Sequence, residues 1–317
     1  MKQTRRQFVR TLFVATQAAA LGSLLPRSLF AADAKAGGLN FLVFGDWGRK
    51  GEKDQVDVAT QMSIAAREID AKFIISVGDN FYENGVKSVD DPQFQTSFEK
   101  VYTAPSLQVP WDVILGNHDY HGDCDAQIAY GKTSPRWNLP ARYYTRTEHI
   151  DADTVVDFFY LDTTPMKAGD DKGVPEHHFK GQDVSKQFAW LESALSASAA
   201  AWKIVVGHHP IYSSGMHGDT PYLVEHILPL LEKYQVQAYF NGHDHDLQHL
   251  QTGKVNLFCS GAGSKPRATV KETPQTKFAK GCPGFIAAAL HPDKLDVRMI
   301  DDHGKLLYAT SVPCKTG

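Results

Sequence analysis

Leu39-Asn40-Phe41-Leu42-Val43-Phe44-Gly45-Asp46-Trp47-Gly48 is a short apolar run that stops on a glycine and hands the chain to an aspartate. A run of this length, rich in branched and aromatic residues and bounded by Gly, reads as a buried strand. The pattern is repeated four more times. Residues 73–77 end at Gly78-Asp79-Asn80-Phe81-Tyr82, residues 111–115 at Gly116-Asn117-His118-Asp119, residues 202–206 at Gly207-His208-His209-Pro210, and residues 236–240 at Asn241-Gly242-His243-Asp244-His245. Between these runs the apolar period changes to that of a helix. Val56, Ala59, Met62, Ala66 and Ile69 share one helical face, as do Phe188, Leu191 and Leu195 behind a Ser185 cap. Thr220-Pro221 opens a third helix carrying Val224, Ile227, Leu228 and Leu231. Residues 255–260, 285–290, 294–300 and 306–312 read as strands joined by short turns, which implies an antiparallel portion. The expected fold is α/β, with layered sheets between helices.

In such sheets ligands bind beyond the carboxyl ends of the strands. Five strand ends here each deliver Asp, Asn, His or Tyr to that edge. Taken singly, Gly-Asp and Gly-Asn are common turn pairs, and one His after a strand is an ordinary surface residue. The order Asp, Asp, Asn-His, His, His-x-His along one edge is far harder to reach by chance. His243 and His245 lie two apart, on the same side of an extended segment.

That order resembles the calcineurin-like metallophosphoesterases. The likeness narrows at two positions. The superfamily usually opens with Asp-x-His, whose His binds metal, and here that position is Gly48. Tyr82, three residues after Asp79, stands in compensation, which resembles the purple acid phosphatases, where a tyrosinate binds ferric iron and gives the colour. Gln127–Tyr130, Arg136-Trp137-Asn138 and Ser260-Gly261-Ala262-Gly263 look like the small, animal-type tartrate-resistant branch of that family. The likeness runs from about Phe41 to Gly263.

The resemblance implies a four-layer sandwich of two mixed β-sheets flanked by helices, with a metal site at the carboxyl ends of the strands. It implies that Asp46, Asp79, Tyr82 and His245 hold one metal and Asp79, Asn117, His208 and His243 a second, Asp79 bridging. Carboxylate and phenolate favour Fe(III); imidazole and amide oxygen suit divalent Fe, Zn or Mn. The implied activity is an acid phosphatase that hydrolyses small phosphate monoesters by attack of a metal-bound hydroxide. His118 is the first candidate for protonating the leaving oxygen, and His217 for a second substrate-facing imidazole. Asp119 either orients His118 or caps a turn. His209 stands where the small branch commonly has Tyr, and its role is open between a donor at the phosphate and packing under His208. His121, His177, His178, His249, His291 and His303 read as surface or structural residues. A phosphodiesterase or nucleotide phosphatase of the same superfamily is the nearest alternative, turning on loops 119–142 and 164–184. A non-catalytic phosphate-binding protein is disfavoured by the complete ligand set, and iron redox chemistry is at most a side activity.

Composition is ordinary for a soluble globular protein. The chain has 317 residues, 42% hydrophobic and 22% charged, with no low-complexity tract. Residues 1–34 carry five cations against Asp33, a net of +4, which leaves −7 on the remainder of a chain whose total is −3. A mildly acidic body without a basic stripe gives no support to nucleic-acid binding, and charge for an anionic substrate is expected from metal. Thr4-Arg5-Arg6-Gln7-Phe8, a weakly apolar stretch over residues 11–25, and Ala31, Ala32 and Ala34 read as a signal peptide over residues 1–34, ahead of a catalytic domain over 35–317. The arginine pair looks like a signal for the twin-arginine export machinery. The apolar stretch is too short for a comfortable bilayer span, so a periplasmic or secreted protein without a stable membrane anchor is expected. In that compartment Cys124, Cys259, Cys282 and Cys314 suggest up to two disulfides. Replacing both Arg5 and Arg6 by Lys is expected to retain the protein in the cytoplasm; unchanged export, read by fractionation, excludes the twin-arginine route.

Overall fold

The computed structural model describes residues 38–167, 174, 176–268 and 271–314. The arginine pair and the rest of the expected signal lie outside the described residues. Strands β1 (Leu39–Phe44), β2 (Phe73–Ser76), β3 (Trp111–Val113) and β4 (Trp137–Asn138) run parallel to one another. β5 (Tyr144–His149), β6 (Val155–Tyr160), β7 (Trp202–Val206), β8 (Ala238–Asn241), β9 (Leu247–Thr252), β10 (Val255–Ser260) and β11 (Thr276–Lys280) make a second sheet, ordered β11-β9-β10-β8-β7-β6-β5. The chain then returns through β12 (Gly284–Leu290), β13 (Lys294–Asp301) and β14 (Leu306–Pro313), completing the first sheet as β14-β13-β12-β1-β2-β3-β4. β12, β13 and β14 are antiparallel, as their short connecting turns imply. Both sheets are therefore mixed, and helices flank them.

Strand alternation builds the layers. In β7 and β8, Trp202, Ile204, Val206, Ala238 and Phe240 face the other sheet, while Val205 and Tyr239 face outward under a second apolar cluster. Phe158 meets Phe41 and Phe73 edge-on between the sheets, with ring centroids 5.7 and 5.6 Å apart. Helix α1 (Gln55–Ile69) covers β1 and β12 through Val58, Ala59, Met62, Ala65, Ala66 and Ile69. Val56, expected on that face, is 48% exposed, because the buried face runs through Gln55, Val58, Ala59, Met62, Ala66 and Ile69 and position 56 turns about 100° away from its centre. Helix α2 (Cys124–Tyr130) was not anticipated, being a single short amphipathic run. Helix α3 (Val184–Ala197) is capped by Asp183, whose carboxylate accepts from the N–H groups of Ser185 and Lys186, so the cap lies two residues before the expected Ser185. Wide turns over Leu223–Ile227 run into α4 (Leu228–Lys233), and Thr220 O accepts from Leu223 and Val224 as the Thr-Pro signal predicts.

All four cysteines are free thiols, against the expected disulfides. They sit in four separate settings. Cys124 points at Asp119 O at the head of α2, and Cys259 lies in β10 against the carbonyls of Gly242 and Asp244. Cys282 precedes β12, and Cys314 follows β14 near Ala201 O.

Asp162, directly after β6, is fully buried. Tyr120 Oη donates to its Oδ2 at 2.5 Å, while Oδ1 has no hydrogen-bond partner among the described residues. Burial pushes its carboxyl up to about 7, against the Tyr120 hydrogen bond and the Arg142 charge. The folded protein thus holds a proton that the unfolded chain releases near pH 4. The stability from this group is complete below about pH 4 and is lost as pH rises to about 7. Asp162→Asn is expected to flatten this part of the stability–pH profile, measured by chemical denaturation between pH 4 and 8.

Candidate metal centre

The carboxyl ends of β1, β2, β3, β7 and β8 meet at one edge between the sheets. Asp46, Asp79 and His243 leave their strands with φ of 60°, 50° and 69°, in the left-handed region. Asp and His enter that region more readily than bulky residues, yet at a cost of about 1–3 kcal/mol each. The cost is tolerated because it turns three side chains onto a common point. Backbone also crowds that point. A Cβ on Gly116 would stand 2.2 Å from Asp79 Oδ1, so only glycine lets β3 end beside that carboxylate.

Two donor clusters result. Tyr82 Oη lies 3.0 Å from Asp46 Oδ1, 2.9 Å from Asp79 Oδ2 and 3.1 Å from His245 Nε2. Asn117 Oδ1 lies 3.1 Å from His208 Nε2 and 3.0 Å from His243 Nδ1, and His208 Nε2 is 3.4 Å from Asp79 Oδ1. Asp79 therefore turns one oxygen to each cluster. All seven residues named from the sequence as metal-binding come together here, and all but Asn117 are buried. Gly48 closes the place where the superfamily's His would stand. A Cβ there would meet Asn80 O at 1.8 Å, and Gly48 O instead accepts from Tyr82 N at 2.9 Å. The backbone that excludes a side chain at 48 is the same backbone that presents Tyr82.

The donor set fits a pair of cations. His208 and His245 donate through Nδ1 to the carbonyls of Val77 (2.9 Å) and Lys265 (2.7 Å), leaving each Nε2 facing inward. A neutral His208 has then spent its only N–H, so Nε2 and Asn117 Oδ1 oppose one another as lone pairs. A proton or a cation must stand between them. Charge follows the same logic. Burial, and next the Asp79 charge, push the Asp46 carboxyl well up, and burial with both carboxylates pushes the Tyr82 phenol well up. Burial also holds His243 well below the usual imidazole range and lowers His245 to about 3, with Arg267 adding to the latter. Asp79 escapes its burial through the His208 and His118 imidazoles and the His118 N–H, which hold it below the usual carboxylate range. Protein alone thus favours the protonated forms of Asp46 and Tyr82 and the neutral forms of His243 and His245; two cations would release those protons and take the lone pairs.

His118 is half-buried at the mouth. Its ring lies 4.4 Å from that of Tyr82, and its Nδ1 donates to Glu83 O at 2.6 Å. Asp119 does not touch it. The Asp119 carboxylate instead accepts from Gly116 N, Asn80 N, Phe81 N, Asn80 Nδ2 and Gln127 Nε2, which ties the turn after β3 to the turn after β2. His217 is exposed on the opposite rim, 4.1 Å from the His243 ring, with its N–H donating to Asp244 Oδ1 and its Nε2 against Arg267 Nη1 at 2.5 Å. Partial desolvation where its ring packs on His243, with Arg267 and Lys167 adding to it, lowers its pKa despite Asp244. Three cations escaped the reading of sequence. Arg49 lies over the Tyr82 ring at 3.7 Å, Lys167 Nζ is 3.4 Å from His243 Nε2, and Arg267 reaches His217. None sits in a motif, and only Arg49 is close in sequence to a strand end. His209 is buried beside His208 and His243. Of the histidines read as structural, His249 stacks on Phe258, and His178 donates through Nδ1 to Tyr120 O.

Residues 39–247 match the calcineurin-like phosphoesterase family. Purple acid phosphatase 7 of Arabidopsis thaliana is 39% identical over 287 residues, covering 87% of this chain and 86% of that protein. Human tartrate-resistant acid phosphatase type 5 is 36% identical over 313 residues, covering 92% and 96%. Among solved structures, GAP50, the anchor in the inner membrane complex of Plasmodium, aligns with a TM-score of 0.79 at 26% identity over 88% of this chain and 89% of that one. A purple acid phosphatase from yellow lupin seeds shares the fold, with a TM-score of 0.65 at 15% identity over 88% of this chain and 54% of the other. Its motif order, its two donor clusters and these relatives place the chain in the calcineurin-like phosphoesterase family and, within it, among the purple acid phosphatases, acid phosphatases built on a dinuclear metal centre.

Proposed function

We propose that this acid phosphatase takes small phosphate monoesters at two metal positions that share Asp79. Asp46, Tyr82 and His245 complete the first position, and Asn117, His208 and His243 the second. The observation that supports this division is the split of Asp79, with Oδ2 toward the phenol cluster and Oδ1 toward the imidazole cluster. Anionic oxygen donors suit Fe(III) at the first position; amide oxygen and imidazole suit a divalent Fe, Zn or Mn at the second. When bound, the pair supplies Lewis acidity toward the phosphate and acidifies the attacking water.

The remaining steps belong to side chains. His118 spends Nδ1–H on the Glu83 carbonyl, so Nε2 is the nitrogen left to protonate the leaving oxygen. The bond to Glu83 also fixes the ring plane, so the proton is delivered along one direction. On the far rim, Arg267 holds His217 in place, and Arg267 with Lys167 forms a cationic edge that grips the outer phosphate oxygens. That edge retains the dianion while the ester bond breaks. Export through the twin-arginine machinery to the periplasm or beyond belongs to the same proposal and rests on Arg5 and Arg6.

Two measurements test it. The visible spectrum of the purified protein is expected to carry a charge-transfer band that Tyr82→Phe abolishes. A colourless wild type that still binds two metals and hydrolyses esters removes iron from Tyr82. His118→Ala is expected to lower kcat about 10²–10⁴-fold at unchanged metal content, with the larger loss for alkyl than for nitrophenyl esters. A loss equal for both leaving groups removes the proton-donor role from His118.

A further inference from the structure

In the reading above His118 faces the leaving oxygen, so the alcohol of the substrate departs on its side of the mouth. That side opens into a cavity. The His118 ring lies 5.8 Å from that of His121, and His121 forms part of the wall of a space of about 490 Å³. This volume falls within the ~300–1,000 Å³ usual for small-molecule pockets.

Its lining is unlike theirs. Most such pockets are apolar, whereas here Val86 and Cys124 are the only apolar side chains among the described residues of the wall. Lys87, Arg142 and Lys180 bring three cations against the carboxylates of Asp123 and Asp125. Both carboxylates are already engaged. Asp125 Oδ1 accepts from Arg142 Nη2 at 2.7 Å, and Asp123 Oδ1 accepts from Ala126 N at 3.0 Å, where it caps α2. Neither Lys87 nor Lys180 forms an ion pair among the described residues.

The walls are fixed to one another through Tyr120, which is fully buried. Phe179, beside Lys180, stacks on the Tyr120 ring at 5.3 Å, and His178 Nδ1 donates to Tyr120 O at 2.5 Å. The segment carrying Lys180 is thereby held against the turn carrying His121. Arg142 Nη1 donates to Tyr120 Oη at 3.2 Å, so the guanidinium is anchored on the same side chain.

We infer that this cavity binds a second phosphate carried by the leaving alcohol, so that the enzyme prefers small bisphosphates whose two esters are several bonds apart. Phosphate oxygens suit ammonium and guanidinium groups, while an apolar alcohol would find only Val86 and Cys124 there. The separation follows from the rings of His118 and His121, which stand between Tyr82 and the cavity. The inference rests on the side that His118 assigns to the leaving group.

Straight-chain diols of increasing length, phosphorylated at one end or at both, test it with the holoenzyme. Among the longer diols the bisphosphate is expected to exceed its monophosphate about tenfold in kcat/KM, carried by KM. Lys87→Gln combined with Lys180→Gln is expected to remove that preference. The readout is the ratio of two esters on one sample, so any loss of folded protein cancels. A wild-type ratio no greater than the statistical advantage of two equivalent ends overturns the inference. A preference that survives both substitutions overturns it too, and places the second anion elsewhere on the mouth, such as the edge formed by Lys167 and Arg267. The His118→Ala comparison above uses singly phosphorylated esters, on which this cavity has no bearing, so the donor reading and the present one fail separately.

Discussion

Asp46 and Asp79 place carboxylate oxygens within 3.0 Å of one phenol oxygen, and all three side chains are buried. Two buried anions so close repel strongly, and burial alone already opposes their charge. Protein can relieve this only by holding protons on Asp46 and Tyr82, which is what the raised pKa values express. A cation relieves it better, because it converts each repulsion into a shared attraction. The second cluster presents the same constraint with lone pairs in place of charges, at His208 Nε2 and Asn117 Oδ1. Asp79 couples the two, so neither cluster can be filled or emptied without altering the other.

The fold exists around this point in a literal sense. Two sheets pack face to face through Phe41, Phe73, Phe158 and Phe240, and that apolar contact sets how closely the strand ends approach. Left-handed backbone at Asp46, Asp79 and His243 and the absence of a Cβ at Gly116 then convert a strand edge into a cage. Asp119 secures it, since its carboxylate accepts from Asn80 and Phe81 on one side and Gly116 on the other, joining the turns that carry Asp79 and Asn117. The same fold serves a protein described as an anchor in an inner membrane complex. Activity therefore lies in the donor set, which the fold alone does not specify.

Under the proposed function, substrate charge would be met at the rim. The body of the chain is mildly acidic, and composition alone points to metal as the source of positive potential. Lys167 and Arg267, a hundred residues apart, meet the imidazoles on one side of the mouth. Cations placed on one side of a mouth can raise the local concentration of an anionic ester without requiring a basic protein.

The sequence by itself determined the strand-glycine-ligand pattern at five places, the family, the α/β class, and the seven donors that meet at the centre. These were legible because each depends on local chemistry: an apolar run of strand length, a glycine that turns the chain, and a polar residue one to four positions later. It also carried the exchange of a histidine at 48 for Tyr82, whose steric reason, Asn80 O at 1.8 Å from any Cβ, appears only in three dimensions. Tertiary structure decided the rest. The edge strands β5 and β11 and the buried polar strand β9 carry no apolar period of their own and form only because a neighbour offers hydrogen bonds. The thiols stay free because their strands and loops end in different places. Asp119 fastens a turn rather than orienting His118, Arg267 finds His217 across fifty residues, and His209 turns toward His243. Each of these is a contact between segments distant in the chain, set by how two sheets pack, and spacing along a sequence does not encode that distance.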